Sequence, residues 1–422
     1  MRTKMLVLPI LLLLASGLHS DTIHVPSEYS TIQEGLNAAQ AGDTVLVASG
    51  TYIENLIWPN TQSIKLLSES GPEYTIIDGN NLASVINISV SIDIDTSTVI
   101  SGYTIRNGNG NSGGGINSYQ GLSIIGNHIN DNHAIYGGGG INMGAFFTDY
   151  SDHEDYRSIY SSSEITQGNR DAKASAIYGV ISDCVISGNT SSCGGGILGQ
   201  NFSGIITKCD ISENESSAGA GISLRDHFGT VSQSFLIDST NIANNTGDGI
   251  LMSKYLPSPT ETYAAHYCNI YGNTGYGITM TGIGAPPSQP FDATYNWWGD
   301  PSGPGGVGPG TGDEVCENVL YDPWLTELGI ESSSPSFPLR LSVFPNPFSS
   351  NAVAFFELPG SGLVTIQVFD LSGRLIEQVI DSMLETGNQA IELDGSEWSP
   401  GIYLIRLNAG NHTVSHRCIL VR

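Results

Sequence analysis

Charged residues are scarce in this sequence, and cationic ones especially so. They make up 13% of the chain, and 15 Lys and Arg stand against 41 Asp and Glu, which gives a formal net charge of -26. A surface of that sign repels phosphate, so the composition argues against nucleic acid and anionic membranes as partners. It is compatible with neutral or cationic ligands and with divalent cations, or simply with solubility outside the cell.

Long apolar runs are equally rare. The one at the N-terminus, residues 5–14, follows Arg2 and Lys4 and precedes the small residues Ala15, Ser16 and Gly17. This arrangement is typical of a secretory signal peptide, which we predict over residues 1–20, because the run is too short to span a membrane. No later segment reaches about 18 consecutive apolar residues, so the mature chain is predicted to have no membrane span.

One short pattern recurs along the chain. Residues 184–197 read CVISGNTSSCGGGI, residues 209–222 read CDISENESSAGAGI, and related copies begin near residues 103, 127, 240 and 268. The shared elements are Ile, Asn three residues later, a short turn and Gly-x-Gly-Ile, at intervals of about 24 to 31 residues. A period in this range indicates a solenoid whose repeats bury their apolar faces on each other.

The repeats favour strands over helices because they are short, rich in β-branched residues and interrupted by Gly and Asn. We therefore predict an all-β chain whose main part is a right-handed parallel β-helix. Residues two apart in a strand share a face. One interior column is predicted to contain Ile105, Ile129, Ile186, Ile211, Ile242 and Ile270.

A second interior column is predicted to contain Cys184, Cys209 and Cys268. Six cysteines in an exported chain also permit a disulfide framework. Their place in the repeat instead predicts that these three are free, buried thiols. A repeated Asn is predicted at a left-handed turn position, with its amide hydrogen-bonded from coil to coil. These asparagines are Asn132, Asn189, Asn214, Asn245 and Asn273.

Both ends of the coil carry candidate caps. The segment STIQEGLNAAQAG, residues 30–42, predicts an amphipathic helix with a capping box between Ser30 and Gln33. The apolar face of this helix is formed by Ile32, Leu36 and Ala39. At the other end, Trp297 and Trp298 are predicted to close the last coil.

The opening segment and the repeats, about residues 22–325, resemble pectinesterase-like and other parallel β-helix proteins of the pectate-lyase-like superfamily. This resemblance implies the fold. It implies no reaction, because the catalytic motifs of pectate lyases, polygalacturonases and pectinesterases are absent from the sequence.

The C-terminal part has a different pattern. After ESSSPSFP at 331–338, apolar residues alternate with polar ones, which predicts short antiparallel strands in a sandwich. FPNPF, FDLSGRLI, SPGIYLIRL and the terminal CILVR resemble, in order, the C-terminal sorting domain of type IX secretion cargo.

That resemblance implies an immunoglobulin-like sandwich that engages the secretion machinery. It also implies a protein secreted from, or attached to the outer surface of, a Gram-negative-type cell. An ordinary adhesive sandwich is the alternative. The predicted organisation is signal peptide 1–20, β-helix 21–328, linker 329–338 and sorting domain 339–422.

Four insertions follow the Gly-x-Gly-Ile strand, after Ile141, Ile222, Ile250 and Ile278. Because they leave the coil at the same point, we predict that they stack along one flank, where solenoids often bind ligands. Aromatic rings beside charged groups suit sugars, although these rings would also serve simply to pack the loops on the coil. The predicted polysaccharide-binding residues are Phe147, Tyr150, His153, Tyr156, Arg157, Phe228 and Tyr255.

The same flank contains weaker candidates for chemistry. A cluster of carboxylates offers hard oxygen ligands for Ca²⁺, without EF-hand spacing, and a solvated acidic loop is the alternative. These residues are Asp149, Asp152, Glu154 and Asp155. The catalytic candidates are Arg225, Asp226, His227 and Lys254.

Two enzymatic routes are open. In a polysaccharide lyase, Arg225 or Lys254 would be the base, and Asp226 or the acidic cluster would hold a cation. In a glycoside hydrolase, Asp226 would pair with Asp149 or Asp152. The leading hypothesis is nevertheless a secreted polysaccharide-binding β-helix, with an enzyme second and a structural or adhesive solenoid third.

Overall fold

The computed structural model describes residues 20–90, 92, 94–144, 177–226, 234–254, 262–282, 289–328 and most of 341–421. The predicted signal peptide, apart from residue 20, and the predicted linker 329–338 lie outside this part. In the described residues the regular structure is almost entirely β, with one helix, Ile32–Ala38. This helix, the one in the described residues, is not long and apolar enough to cross a membrane.

The N-terminal part is a coil of three long parallel sheets, which confirms the predicted parallel β-helix. Sheet 1 has eleven strands: Thr22–Val25, Thr44–Val47, Lys65–Ser68, Val99–Ser101, Ser123–Ile125, Ile177–Ser182, Phe202–Thr207, Ser234–Asp238, Thr262–His266, Phe291–Asp292 and Val319–Leu320. Sheet 2 has eight: Gly50–Ile53, Thr75–Asp78, Thr104–Arg106, His128–Asn130, Val185–Ser187, Asp210–Ser212, Asn241–Ala243 and Asn269–Tyr271.

Sheet 3 completes each coil and has ten strands: Leu56–Ile57, Ile86–Ile88, Ile116–Ser118, Ile141–Gly144, Ile197–Gln200, Ile222–Asp226, Ile250–Lys254, Ile278–Gly282, Gly312–Val315 and Pro304–Gly306. A short parallel ladder lies between sheets 2 and 3 and contains Asn109–Ser112, His133–Gly137 and Thr190–Ser191. Between Thr44 and Gly282 the chain runs from sheet 1 to sheet 2 to sheet 3 in each turn.

The predicted isoleucine column is confirmed. Consecutive strands of sheet 2 pair Ile105 with Ile129, Ile129 with Ile186 and Ile186 with Ile211, and the column continues through Ile242 to Ile270. All six side chains are fully buried. Burying one Ile in this way stabilises the fold by roughly 1.5–3 kcal/mol.

The three predicted cysteines are buried free thiols, as expected, and the other three cysteines are also free. They are more than apolar fillers, because they share a column with polar residues that accept backbone hydrogen bonds. The N–H of Cys209 donates to Thr240 Oγ1 at 3.3 Å, and that of Cys268 donates to Asn296 Oδ1 at 2.8 Å. Burial raises the pKa of the Cys268 thiol.

The repeated asparagines form a buried ladder in which each side chain bonds the next coil. The backbone N–H and Nδ2 of Asn189 both donate to Asn214 Oδ1, at 3.0 Å each. Asn214 Nδ2 donates in turn to Ile186 O at 2.9 Å. The predicted left-handed conformation is wrong by one position: it belongs to the residue before each Asn, which points the amide inward. These residues are Asp131, Gly188, Glu213, Asn244 and Gly272.

The ladder ends on a carboxylate. Asp313 Oδ2 accepts from the backbone N–H of Asn273 at 3.1 Å and from its Nδ2 at 2.8 Å, as the next asparagine would. Asp313 Oδ1 accepts from the N–H of Gly272 at 2.8 Å. Asp313 therefore satisfies donors that the last coil would otherwise leave open.

Asp313 should make stability depend on pH. Burial raises the pKa of its carboxyl group from the ordinary 3.8, although the bonds from Asn273 and Gly272 lower it. When the pKa of an acid is higher in the folded than in the unfolded state, the resulting stabilisation is complete at pH values below the unfolded-state pKa. It is lost as the pH rises through the folded-state pKa.

We therefore expect the free energy of unfolding of the wild type, relative to Asp313→Asn, to fall as the pH rises above 3.8. Urea unfolding of both proteins across the acid range measures this difference. Because Asn does not titrate, the variant is the internal reference. If the free energy of unfolding of the wild type relative to Asp313→Asn instead rose with pH, the pKa of Asp313 would be lowered in the folded state.

The N-terminal cap differs from the prediction by one residue. Thr31 is the N-cap and accepts from the N–H of Glu34 at 3.1 Å, while Glu34 accepts from the N–H of Ser30, also at 3.1 Å. The capping box predicted between Ser30 and Gln33 is therefore wrong. The Glu54 carboxylate accepts two further N–H groups of the first turn, at 2.9 and 3.0 Å. The predicted apolar face is buried and contains Ile32, Leu36 and Ala39.

At the other end, only one of the two predicted tryptophans closes the core. Trp298 is fully buried, whereas Trp297 is half-buried and forms a bridge to Asn269. Adjacent residues of a strand point to opposite faces, so both tryptophans cannot fill the interior.

Residues 341–421 form two antiparallel sheets, as predicted. One contains Leu341–Phe344, Asn351–Leu358 and Gly387–Asp394, and the other contains Leu375–Leu384, Gly362–Asp370, Gly401–Ala409 and His412–Leu420. Their inner faces share a core separate from that of the coil, with Phe356 and Leu393 from one sheet and Val364 and Ile405 from the other. This arrangement is a small sandwich.

Candidate functional site

The four insertions leave the coil at one corner, which we call the loop corner. It lies where sheet 3 strands end and sheet 1 strands begin. Sheet 3 pairs Ile141 with Ile197, Ile197 with Ile222, Ile222 with Ile250 and Ile250 with Ile278. The predicted alignment of the departure points is therefore confirmed. The loops themselves, residues 145–176, 227–233, 255–261 and 283–288, lie outside the described residues.

One coil has no insertion at this corner and shows how short the connection between sheet 3 and sheet 1 can be. Between Ile197–Gln200 and Phe202–Thr207 the chain turns with the single residue Asn201, at φ 48°. Asn is among the few residues that tolerate this left-handed conformation. The coil therefore closes with one residue, and the long insertions are not required for closure.

An in-register row of mostly polar side chains lies beside the loop corner on the outer surface of sheet 3. The row pairs Gln200 with Arg225, Arg225 with Ser253 and Ser253 with Thr281. Its residues alternate with core residues such as Leu224, so they face outward. Gln200 and Ser253 are nevertheless only 5% exposed. We call these four residues the polar row; they lie next to the points where the insertions leave the coil.

Two of the predicted catalytic candidates are brought together by the register. Strand Ile222–Asp226 pairs with strand Ile250–Lys254, so that Asp226 is the backbone partner of Lys254 and Arg225 that of Ser253. The backbone therefore places Arg225, Asp226 and Lys254 on two adjacent coils. Of the Asp226 side chain nothing is described, and His227 lies outside the described residues.

Lys254 is fully buried, and it occupies an inward position of its strand, in phase with Ile250 and Met252. Burying an ammonium group is costly unless it is paired and hydrogen-bonded. A general base must reach its substrate, directly or through one water molecule. The enclosed position of Lys254 therefore fits a structural ion better than a base, and half-buried Arg225 is the better candidate for ligand contact.

Cationic side chains are concentrated at this corner. The described part of the coil has five, and two of them lie here on adjacent strands. These five are Lys65, Arg106, Lys208, Arg225 and Lys254. Because Lys254 is fully buried, Arg225 is the one of these two cations that the corner partly exposes.

The remaining predicted site residues lie outside the described residues. These are the ligand-binding candidates Phe147, Tyr150, His153, Tyr156, Arg157, Phe228 and Tyr255, and the calcium candidates Asp149, Asp152, Glu154 and Asp155. Among the residues that are described, no group of three or more His, Cys, Asp or Glu side chains is arranged to hold a metal ion.

The polar row was not predicted, although the sequence contains a signal for it. Gln200, Arg225, Ser253 and Thr281 each stand three residues after the repeated isoleucine of sheet 3. An odd offset from a buried residue predicts an outward-facing side chain. Aligning the repeats at that offset would have revealed the row.

Comparison with known proteins identifies the C-terminal part. Residues 342–421 match the family model of the secretion system C-terminal sorting domain, which indicates secretion or attachment at the cell surface. No curated protein matches the chain. Among solved structures, the ORF18 protein of Geobacillus virus E2 aligns with 86% of this chain and 76% of its own, at 11% identity and a TM-score of 0.38.

Proposed function

We propose that the secreted protein binds a polysaccharide along the loop corner. The observation that carries this proposal is the register of sheet 3, which aligns the points where the insertions leave the coil in a row parallel to the coil axis. Five coils stacked about 4.8 Å apart extend over roughly 19 Å. Such an elongated surface suits a polymer better than a small molecule.

The chemistry of this flank supports the same ligand class. The polar row supplies amide, guanidinium and hydroxyl groups, which hydrogen-bond to sugar hydroxyls. The insertions supply the aromatic residues Phe147, Tyr150 and Tyr156, whose faces suit the apolar faces of sugar rings. The sorting domain delivers the protein outside the cell, where polysaccharides are available. The resemblance to pectate-lyase-like β-helices is consistent with this proposal.

The proposal predicts that binding depends on the first insertion. We expect the mature chain to be retarded in gels that contain soluble polysaccharide, and Tyr150→Ala with Tyr156→Ala to weaken this binding on the order of tenfold or more, about 1.4 kcal/mol per tenfold. Affinity electrophoresis with uronic and neutral polymers, with and without calcium, measures it. Tyr74→Ala is the control, because Tyr74 is 62% exposed and belongs to another part of the coil. If the Tyr150→Ala/Tyr156→Ala variant were retarded as strongly as Tyr74→Ala, the predicted site would be rejected.

A polysaccharide lyase is the second candidate, favoured by the position of Arg225 and Asp226 beside Lys254 on adjacent coils. The same samples decide between the two. Calcium-dependent formation of unsaturated uronate that is abolished by Arg225→Ala would establish a lyase. Retardation without cleavage would favour a binding protein.

A further inference from the structure

Aromatic residues are concentrated on the outer face of sheet 2 in the last two coils. Tyr267 lies at the corner before the strand Asn269–Tyr271, and Tyr271 is the last residue of that strand. Tyr295 and Trp297 occupy the following coil. The equivalent positions of the two preceding coils carry polar or small residues: Lys208, Asp210, Ser212, Ser239, Asn241 and Ala243.

These rings do not serve the core of the coil. The interior positions of the same two coils belong to Ile270 and Trp298, which are both fully buried. Tyr295 is 44% exposed and the nearby Tyr276 is 39% exposed. Closing the end of the solenoid therefore does not explain why the rings lie on its outer face.

The corner that presents two of the rings is conformationally unfavourable for tyrosine. Tyr267 and Tyr295 have φ values of 55° and 61°. A side chain with a Cβ costs about 1–2 kcal/mol in this left-handed region. The two rings are nearly parallel, with 19° between their planes and 5.6 Å between their centroids. The same corner is left-handed in preceding coils, at Lys208 and Ser239, so what is particular to the last coils is the pair of stacked rings and not the backbone.

A cleft continues this surface past the next corner. It has a volume of about 560 Å³ and lies between residues 271–276 and 311–314, so that Tyr271 belongs both to the aromatic face and to the cleft. Tyr276 and the exposed Glu314 also line it, together with Asp313 at the end of the asparagine ladder. Rings and hydrogen-bond acceptors are therefore adjacent.

We propose that this terminal aromatic surface, formed by Tyr267, Tyr271, Tyr276, Tyr295 and Trp297, is a second carbohydrate-binding site that takes a neutral glycan. Ring faces provide an apolar platform for sugar rings, and carboxylates accept hydrogen bonds from sugar hydroxyls. Asp313 and Glu314 on an acidic protein repel carboxylate and phosphate groups, which selects against uronic acid polymers. The site is separate from the loop corner, since it is built on sheet 2 and its following turn.

The repeat itself supplies substitutions that the fold accepts. Ser239 occupies the same corner as Tyr267 and Tyr295, at φ 48°, and Ala243 occupies the position of Tyr271. The variants are therefore Tyr267→Ser with Tyr295→Ser, and Tyr271→Ala. Tyr74→Ser, at an exposed tyrosine in an N-terminal coil, is the matched control.

The mature full chain is titrated by affinity electrophoresis with soluble β-glucan, mannan, xylan and dextran, and with polygalacturonate as the acidic polymer. Wild type is expected to bind at least one neutral polymer. The Tyr267→Ser/Tyr295→Ser variant should lose on the order of tenfold or more in affinity for it, equivalent to about 1.4 kcal/mol per tenfold. Its thermal unfolding should remain a single cooperative transition, and Tyr74→Ser should bind as wild type does.

Two results would overturn the proposal: wild type binds none of the neutral polymers, or the double variant binds them as tightly as wild type does. The loop variant Tyr150→Ala/Tyr156→Ala separates this site from the loop corner. If it alone loses binding, the loop corner is the binding site and the terminal surface is not. If the Tyr267→Ser/Tyr295→Ser variant alone loses binding of the neutral polymers, the terminal surface stands and the loop corner does not bind those polymers.

Discussion

Replacing Asn214 by Ala is expected to destabilise the coil by about 3 kcal/mol or more, because three buried polar groups each lose a hydrogen bond at a cost of roughly 1–3 kcal/mol. These groups are the backbone N–H and Nδ2 of Asn189, which donate to Asn214 Oδ1, and the carbonyl of Ile186, which accepts from Asn214 Nδ2. Asn214 is fully buried, so bulk solvent does not reach the groups that it bonds.

Urea unfolding followed by far-UV circular dichroism measures the effect. Asn109→Ala is the matched control, since Asn109 is exposed and its side chain makes only a long bond of 3.4 Å to Asn81 O. Its midpoint should stay close to that of wild type. Asn214→Asp retains the shape of the side chain but lacks the two Nδ2 protons, so it should be destabilised as well. A change at Asn214 no larger than that at Asn109 would contradict the ladder.

This ladder shows how far the repeat could be interpreted from the sequence. The period placed the isoleucines, cysteines and asparagines in columns, because strict spacing leaves few ways to stack identical coils. The turn geometry was misplaced by one residue. Asp131, Glu213 and Asn244 each stand directly before one of the ladder asparagines. Because Asn itself is a common residue at left-handed turn positions, composition alone did not identify which of the two neighbouring residues adopts that conformation.

The caps were harder to predict than the coils because they depend on contacts distant in sequence. Ser30 and Thr31 are both favoured N-cap residue types, and Ser is slightly the better of the two. The helix begins after Thr31, where the carboxylate of Glu54 also meets the first-turn N–H groups. Likewise, the role of Asp313 at the end of the asparagine ladder arises from residues 40 positions apart.

The sequence predicts where the loop corner lies but not how the residues of its insertions are arranged. The departure points follow from the repeat, because every insertion comes after the same isoleucine. The insertions have no repeat of their own, so their conformation cannot be derived from the period. The polar row does obey the period, and its burial became evident only in the folded coil.

The sorting domain is expected to control export through its own fold, and Val364→Asp tests this. Val364 is fully buried in the core of the sandwich. An ionised carboxylate there lacks partners, and burial without them costs several kcal/mol. Because the core of the sandwich is separate from that of the coil, the coil should remain folded while the sorting domain does not. We therefore expect the variant to accumulate inside the cell.

Leu363→Asp provides the control on the same strand. Leu363 is 55% exposed and points to the opposite face, so its replacement by Asp adds the same charge without burying it. In a bacterium that has the type IX machinery, immunoblots of medium, cell surface and cell interior should show Leu363→Asp outside and Val364→Asp inside. A chain ending at residue 328 should behave as Val364→Asp does. Export of Val364→Asp at the wild-type level would mean that the machinery reads a linear segment of residues 342–421 rather than the folded sandwich.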